Sequence, residues 1–268
     1  MIPDTVAVMG APCQDMPLVE DHQGNIYRTV QIGKQCWMAE NMRAMTEPDG
    51  TNILQIPASG KEWSEPRAYY NDNDAANYAK YGCLYNWPAA MNGANSEGAR
   101  GICPDGWHIP TEAEWEKLCE NAGVGFSTGD NAGKLAGGCD WLYTSTPPTD
   151  FTAYPYDGMR WIPYYESAAT GPGDYSYAER NSTGFSALPA GDYFDDAIYG
   201  HAPNSFSTVG FVAEFWCSTM NGPFGGFCFL VHHSSHLFLP YGEYTNNKGY
   251  SVRCLRDNTG VTLGAVTK

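Results

Sequence analysis

The stretch Cys103-Pro-Asp-Gly-Trp-His-Ile-Pro-Thr-Glu-Ala-Glu-Trp115 constrains the fold more than any other part of the chain. Trp107-His108-Ile109 reads as a short strand. Pro110 ends it, because proline has no N–H for a ladder. Thr111 follows as a helix cap, and Glu114, three residues later, closes a capping box. Trp115, Leu118 and Cys119 then fall on one helical face, which assigns that face to the core.

Around this element the chain is mostly turn, loop and short strand. Val19–Asn25 and Ile26–Ile32 read as a hairpin whose turn is Asp21-His22-Gln23-Gly24-Asn25. Gln35–Met42 follows as a partly buried segment. Thr46–Asp74 is polar and rich in Gly, Pro and Asn, the composition of a long loop. Asp74–Tyr81 predicts a helical turn, and Leu84–Met91 a short buried element reshaped by Pro88. Asn181–Gly191 predicts a turn entering a buried strand. Further strands are expected at Val212–Ser218, Phe227–Val231, Leu237–Leu239 and Tyr250–Leu255. One domain over 19–257 results, between an irregular arm (1–18) and a tail (258–268).

Thirty glycines and 18 prolines place much of this domain in loops, and 8 Trp, 18 Tyr and 11 Phe supply its core. A formal net charge of −15 repels nucleic acid and anionic membrane. No apolar run is long enough to span a bilayer, and residues 1–19 do not read as a signal peptide. Nine cysteines point to an oxidising compartment, with one left over; the alternative is that several are small buried apolar residues.

Seven motifs in order carry a resemblance. They are Tyr27–Gly33, Trp37–Asn41, Tyr81–Trp87, Cys103–Trp115, Gly184–Gly191, Phe215–Thr219 and Gly249–Cys254. From about Val19 to Asp257 the chain resembles the Fibrobacter succinogenes major paralogous domain family. Ile109–Trp115 and the closing Gly-Tyr-Ser-Val-Arg-Cys are also similar to formylglycine-generating (sulfatase-modifying) enzymes. Both resemblances imply an α+β, C-type-lectin-like fold: a small twisted antiparallel sheet, flanking helices and long loops. The same fold implies that its first and last strands pair, which would bring Cys103 and Cys254 together in a disulfide. Cys217 and Cys228 lie on two strands around Asn221–Phe224 and form a second expected bridge, although the family usually has Ser at the Cys217 position.

Formylglycine-type chemistry uses two nearby reactive cysteines. Cys217 and Cys228 are the candidates here, at the wrong spacing and with no Arg or Lys within several residues to lower their pKa. A catalytic role is therefore not expected. His232, His233 and His236 are the densest potential metal ligands, but His233 points away from the other two on a strand, so an exposed polar loop is expected. Asp72 and Asp74 could hold calcium through oxygen ligands, although the spacing is not an EF-hand loop. Glu47-Pro48-Asp49 echoes the carbohydrate-calcium tripeptide of true C-type lectins but lies too early in the chain. No other cofactor is expected.

A recognition surface remains. Phe224, His232, His233, His236, Phe238, Tyr241, Tyr244, Asn246 and Asn247 crowd one segment, with Phe227 and Phe229 assigned in part to the core. Aromatics with Asn and His give contact area at low entropic cost and adaptable hydrogen bonds. The expected function is a surface-displayed adhesin or ligand-binding module, at the cell surface or outside the cell, whose partner is a glycan or a protein on another surface. Its C-terminal face falls where variable proteins of diversity-generating retroelements diversify. A formylglycine-type oxidoreductase and a structural envelope protein are the alternatives.

Overall fold

A computed structural model describes residues 10–53, 68–69, 75–126, 131–137, 181–194, 205–207, 209–210, 212–220, 226–232, 237–238 and 248–257. For residues 68–69, 194, 205, 207, 226–232 and 237–238 it describes the backbone alone. The architecture is α+β, built on two mostly antiparallel sheets and few helices.

The first sheet begins with the expected hairpin. β1 (Leu18–Glu20) pairs with β2 (Ile26–Ile32), and β2 pairs with β3 (Gln35–Met38). Asp21 organises the turn by accepting hydrogen bonds from the backbone N–H groups of Gln23 and Asn25. Such an Asx turn substitutes a side chain for missing backbone partners. β3 is wholly buried, more so than its sequence predicts.

Most of the expected loop Thr46–Asp74 lies outside the described residues, and two helices follow it in sequence. α1 (Ala75–Tyr81) leads through β5 (Leu84–Tyr85) into α2 (Trp87–Met91). Asn86 caps α2, with Pro88 in the first turn, where a missing N–H costs nothing. β4 (Ala68–Tyr69) pairs with β5.

The signature segment folds as its residues dictate. β6 (Trp107–His108) stops before Pro110, and α3 (Glu112–Ala122) starts from Thr111. The Thr111 hydroxyl accepts the Glu114 N–H at 3.2 Å, and Glu114 accepts the Thr111 N–H at 2.8 Å. Trp115, Leu118, Cys119 and Ala122 face inward.

The second sheet carries β7 (Asp192–Phe194), β8 (Ser205–Ser207), β9 (Val212–Met220), β10 (Gly226–His232), β11 (Leu237–Phe238) and β12 (Lys248–Ser251). Its main path runs β11-β10-β9-β12-β5-β4, with β7 and β8 attached beside β12. The β9–β12 step is parallel. After Ser251 the chain leaves this sheet, and β13 (Leu255–Arg256) enters the first one, giving the order β1-β2-β3-β13-β6. The single strand expected over Tyr250–Leu255 is thus two strands in two sheets.

Two large apolar clusters fill the interior. One gathers Tyr27, Met38, Tyr85, Trp87, Trp107, Trp216 and Tyr250. The other stacks Trp37, Trp115, Phe185 and Phe215 against α3. Its rings meet at centroid distances of 4.7 Å for Trp37–Trp115 and 5.6 Å for Trp115–Phe215, within the range of favourable aromatic pairs.

Among the described residues, two disulfides pin the frame. Cys103 is bonded to Cys254, joining the chain ahead of β6 to the chain ahead of β13. Cys13 is bonded to Cys36, which fastens residues of the irregular arm to β3. The expected Cys217–Cys228 bridge does not form, since Cys217 is a free, buried thiol. Register sets Cys228 opposite Trp216, one residue away, and Cys217 packs in the Trp115 cluster while Trp216 joins the other. Cys83 and Cys119 are also free and buried.

Candidate functional site

Arg253 lies in the short link between the two sheets, and its side chain is 1% exposed. Its guanidinium stands over the Phe185 ring at 4.5 Å and the Phe215 ring at 5.2 Å. The side chain donates to Asn41 Oδ1 through both Nε and Nη2, and to the carbonyls of Phe185 and Ser186. Every one of these acceptors is neutral. Burial pulls the group down to about 9, with nearby Glu40 pulling the other way, so the cation persists at neutral pH. A buried charge without an opposite charge in contact is costly to keep.

A cavity of about 270 Å³ opens beside it, and Arg253 forms part of its wall. Five separate stretches supply the rest. β2 gives Arg28, the segment after β3 gives Ala39 to Asn41 and Arg43, and the end of α1 gives Ala79, Lys80 and Gly82. Gly137 and the turn containing Asn181, Ser186 and Leu188 close the far side. Arg28 holds Glu40 in an ion pair at 2.9 Å on the exposed rim. Arg43 stacks over Tyr27 at 4.5 Å and donates to the Ile26 carbonyl. Asn41 is spent on structure: its amide donates to the Tyr81 carbonyl and the Ser251 hydroxyl.

The turn on the far side is conformationally costly. Asn181 (φ 55°) and Ser186 (φ 57°) both occupy the left-handed region. Asparagine tolerates this well, serine less so. Mutual hydrogen bonds hold them: Asn181 Nδ2 donates to Ser186 Oγ, and Ser186 N donates to Asn181 Oδ1. Strain that the surroundings must maintain is a recurring mark of binding sites.

Elsewhere the titratable groups serve other ends. Glu214 on β9 is buried, and burial together with Asp192 raises its pKa well above the usual carboxylate range, against the pull of Lys248. The Glu47 carboxyl is pushed up to about 7 by burial and by Asp49, and neither oxygen finds a hydrogen-bond partner among the described residues. Burial pushes the Cys83 and Cys217 thiols up to about 12, and Cys119 also upward. A nucleophilic thiol needs the opposite shift.

The residues singled out from sequence fare unevenly. His232 closes β10 and Phe238 closes β11, at the edge of the second sheet, and only their backbone is described. Phe224, His233, His236, Tyr241, Tyr244, Asn246, Asn247, Asp72 and Asp74 lie outside the described residues. Among the described residues no three His, Cys, Asp or Glu side chains gather closely enough to hold a metal ion. Nor is any helix among them long and apolar enough to cross a membrane. Sequence reasoning missed the Arg253 cavity altogether. The one available signal was an arginine set in the apolar run Tyr250–Leu255, where a charge needs a reason.

A family model described as the Fibrobacter succinogenes major domain matches residues 30–256. The chain belongs to the Fibrobacter succinogenes major domain family. The match begins within β2 and ends within β13, so the family domain contains the walls of the cavity, apart from Arg28, and the Cys103–Cys254 bridge. No curated protein and no solved structure matches the chain.

Proposed function

We propose that this member of the family is a non-catalytic ligand-binding module with a C-type-lectin-like fold, displayed at the cell surface or outside the cell as an adhesin. The observation that carries the proposal is the placing of β10 and β11 as an edge hairpin on a frame tied by Cys103–Cys254. Both strands fall within the aromatic segment 224–247 of the sequence. A rigid scaffold with recognition residues at one edge is how binding modules separate stability from specificity. Disulfides favour an oxidising compartment. The buried thiols of Cys83, Cys119 and Cys217, all shifted upward, weigh against the formylglycine-type alternative.

The test is a glycan array probed with the purified chain, alongside a variant carrying Phe238→Ala, Tyr241→Ala and Tyr244→Ala. Retention on a subset of glycans, weakened roughly tenfold or more in the variant, is the expected result. Repeating the array in EDTA tests calcium at Asp72 and Asp74. Absence of retention on glycans and on cell-surface proteins alike would leave the structural envelope reading. Diversification is a separate claim, read by sequencing the locus in related strains: substitutions concentrated within 224–247 support it, and uniform substitution refutes it.

A further inference from the structure

We infer that the Arg253 cavity is a second binding site, distinct from the aromatic edge, that takes one anionic sugar ring. This inference rests on the binding-module reading. Charge is the first argument. The whole chain has 15 Lys and Arg against 30 Asp and Glu, yet among the described residues four cationic side chains and a single carboxylate line this cavity. Arg28, Arg43, Lys80 and Arg253 therefore make a local positive site in an acidic protein. Low-dielectric walls focus such a field on a bound anion.

Hydrogen-bonding capacity is the second argument. A guanidinium has five N–H donors, and the contacts of Arg253 use four of them, all on neutral oxygens. The second Nη1 hydrogen has no acceptor among the described residues. A carboxylate or phosphate oxygen is the acceptor that a buried arginine takes best, through charge-assisted bonds. Size and lining are the third argument. A cavity of about 270 Å³ is at the small end for ligand pockets, which suits one ring rather than a chain. Asn181 and Ser186 offer polar contacts for ring hydroxyls, and Leu188, Ala39 and Ala79 offer apolar ones for ring carbons.

The test is calorimetric titration of the full chain at low salt with sodium glucuronate, glucose 6-phosphate and glucose. Glucuronate or glucose 6-phosphate should bind in roughly the millimolar range, with glucose at least tenfold weaker. The stronger of the two acids identifies the anionic group. Arg253→Gln will disturb folding, so Lys80→Gln and Arg28→Gln, both at exposed rim positions, carry the mapping. Each should weaken the acid by roughly three- to tenfold and leave the thermal midpoint unchanged. Equal binding of glucose, no binding of either acid, or acid binding unaffected by both variants would overturn the inference. Array retention that persists while the acids fail to bind overturns this site alone. Loss of both removes the module reading as well.

Discussion

His108 Nδ1 lies 2.6 Å from Asp257 Oδ1, across 149 residues of chain. Its other ring nitrogen lies 3.0 Å from Glu114 Oε2. One imidazole therefore joins the cap of α3 to the end of the C-terminal strand. Burial opposes its charge, but the hydrogen bonds and charges of Glu114 and Asp257 outweigh that and raise its pKa above 6.5. Burial would raise Glu114, yet His108 and Thr111 hold it below 4.5.

The signs set a pH window. His108 is raised in the folded state, so its contribution is complete below about pH 6.5 and fades as pH climbs through the folded value. Glu114 is lowered, so its contribution is present above about pH 4.5 and fades as pH falls through the folded value. His108→Gln should cost about 1–2 kcal/mol in urea melts near pH 5.5 and clearly less near pH 9. A cost equal at both pH values would show that the imidazole acts only by packing.

Glu214 runs the other way. Its carboxyl is raised in the folded state by burial and Asp192, and Oε2 has no hydrogen-bond partner among the described residues. The folded chain keeps this proton where the unfolded chain has lost it, so stability falls as pH rises from about 4.5 toward the folded value. Glu214→Gln should raise stability at pH 7.5 by at least about 1 kcal/mol. A variant less stable than the parent at pH 7.5 would contradict this.

The two disulfides differ in span, 151 residues for Cys103–Cys254 and 23 for Cys13–Cys36. In the chain-entropy model the long loop stabilises by about 5 kcal/mol and the short one by about 3 kcal/mol. Paired Cys→Ser variants, each removing one bridge, should show that order in thermal melts. The reverse order would mean that native-state strain or residual unfolded structure dominates.

Thiol labelling reports on the three buried cysteines. With Cys139→Ser and Cys228→Ser, the native chain should react with a small thiol reagent at pH 8 at least about a hundredfold more slowly than the urea-unfolded chain. Rapid, stoichiometric labelling of Cys217 would reopen the oxidoreductase reading.

What the sequence disclosed depended on how local the cause was. The Asp21 turn and the Thr111–Glu114 box are each written within a few residues, and both form as expected. Cys103–Cys254 was legible only through family resemblance, because nothing local links residues 151 apart. Cys13–Cys36 escaped notice because the arm around Cys13 has no periodicity to place it. Val252, Arg253 and Cys254 are all buried, so no alternation betrays the change of sheet at that point. The cavity was invisible for the same reason. Its walls come from six stretches, and no spacing within any one of them encodes their meeting.

The division of the C-terminal segment also sets an order of events in folding. β12 separates β9 from β5 in one sheet, and β13 separates β3 from β6 in the other. Until residues 248–256 leave the ribosome, both sheets stand in unjoined pieces with bare edges. Such edges invite pairing with other chains. The last of the described strands to be synthesised are thus central ones, and closure of both sheets waits on a single late event. Folding governed by such distant contacts is slow, and a chaperone that covers the early edges would raise the yield.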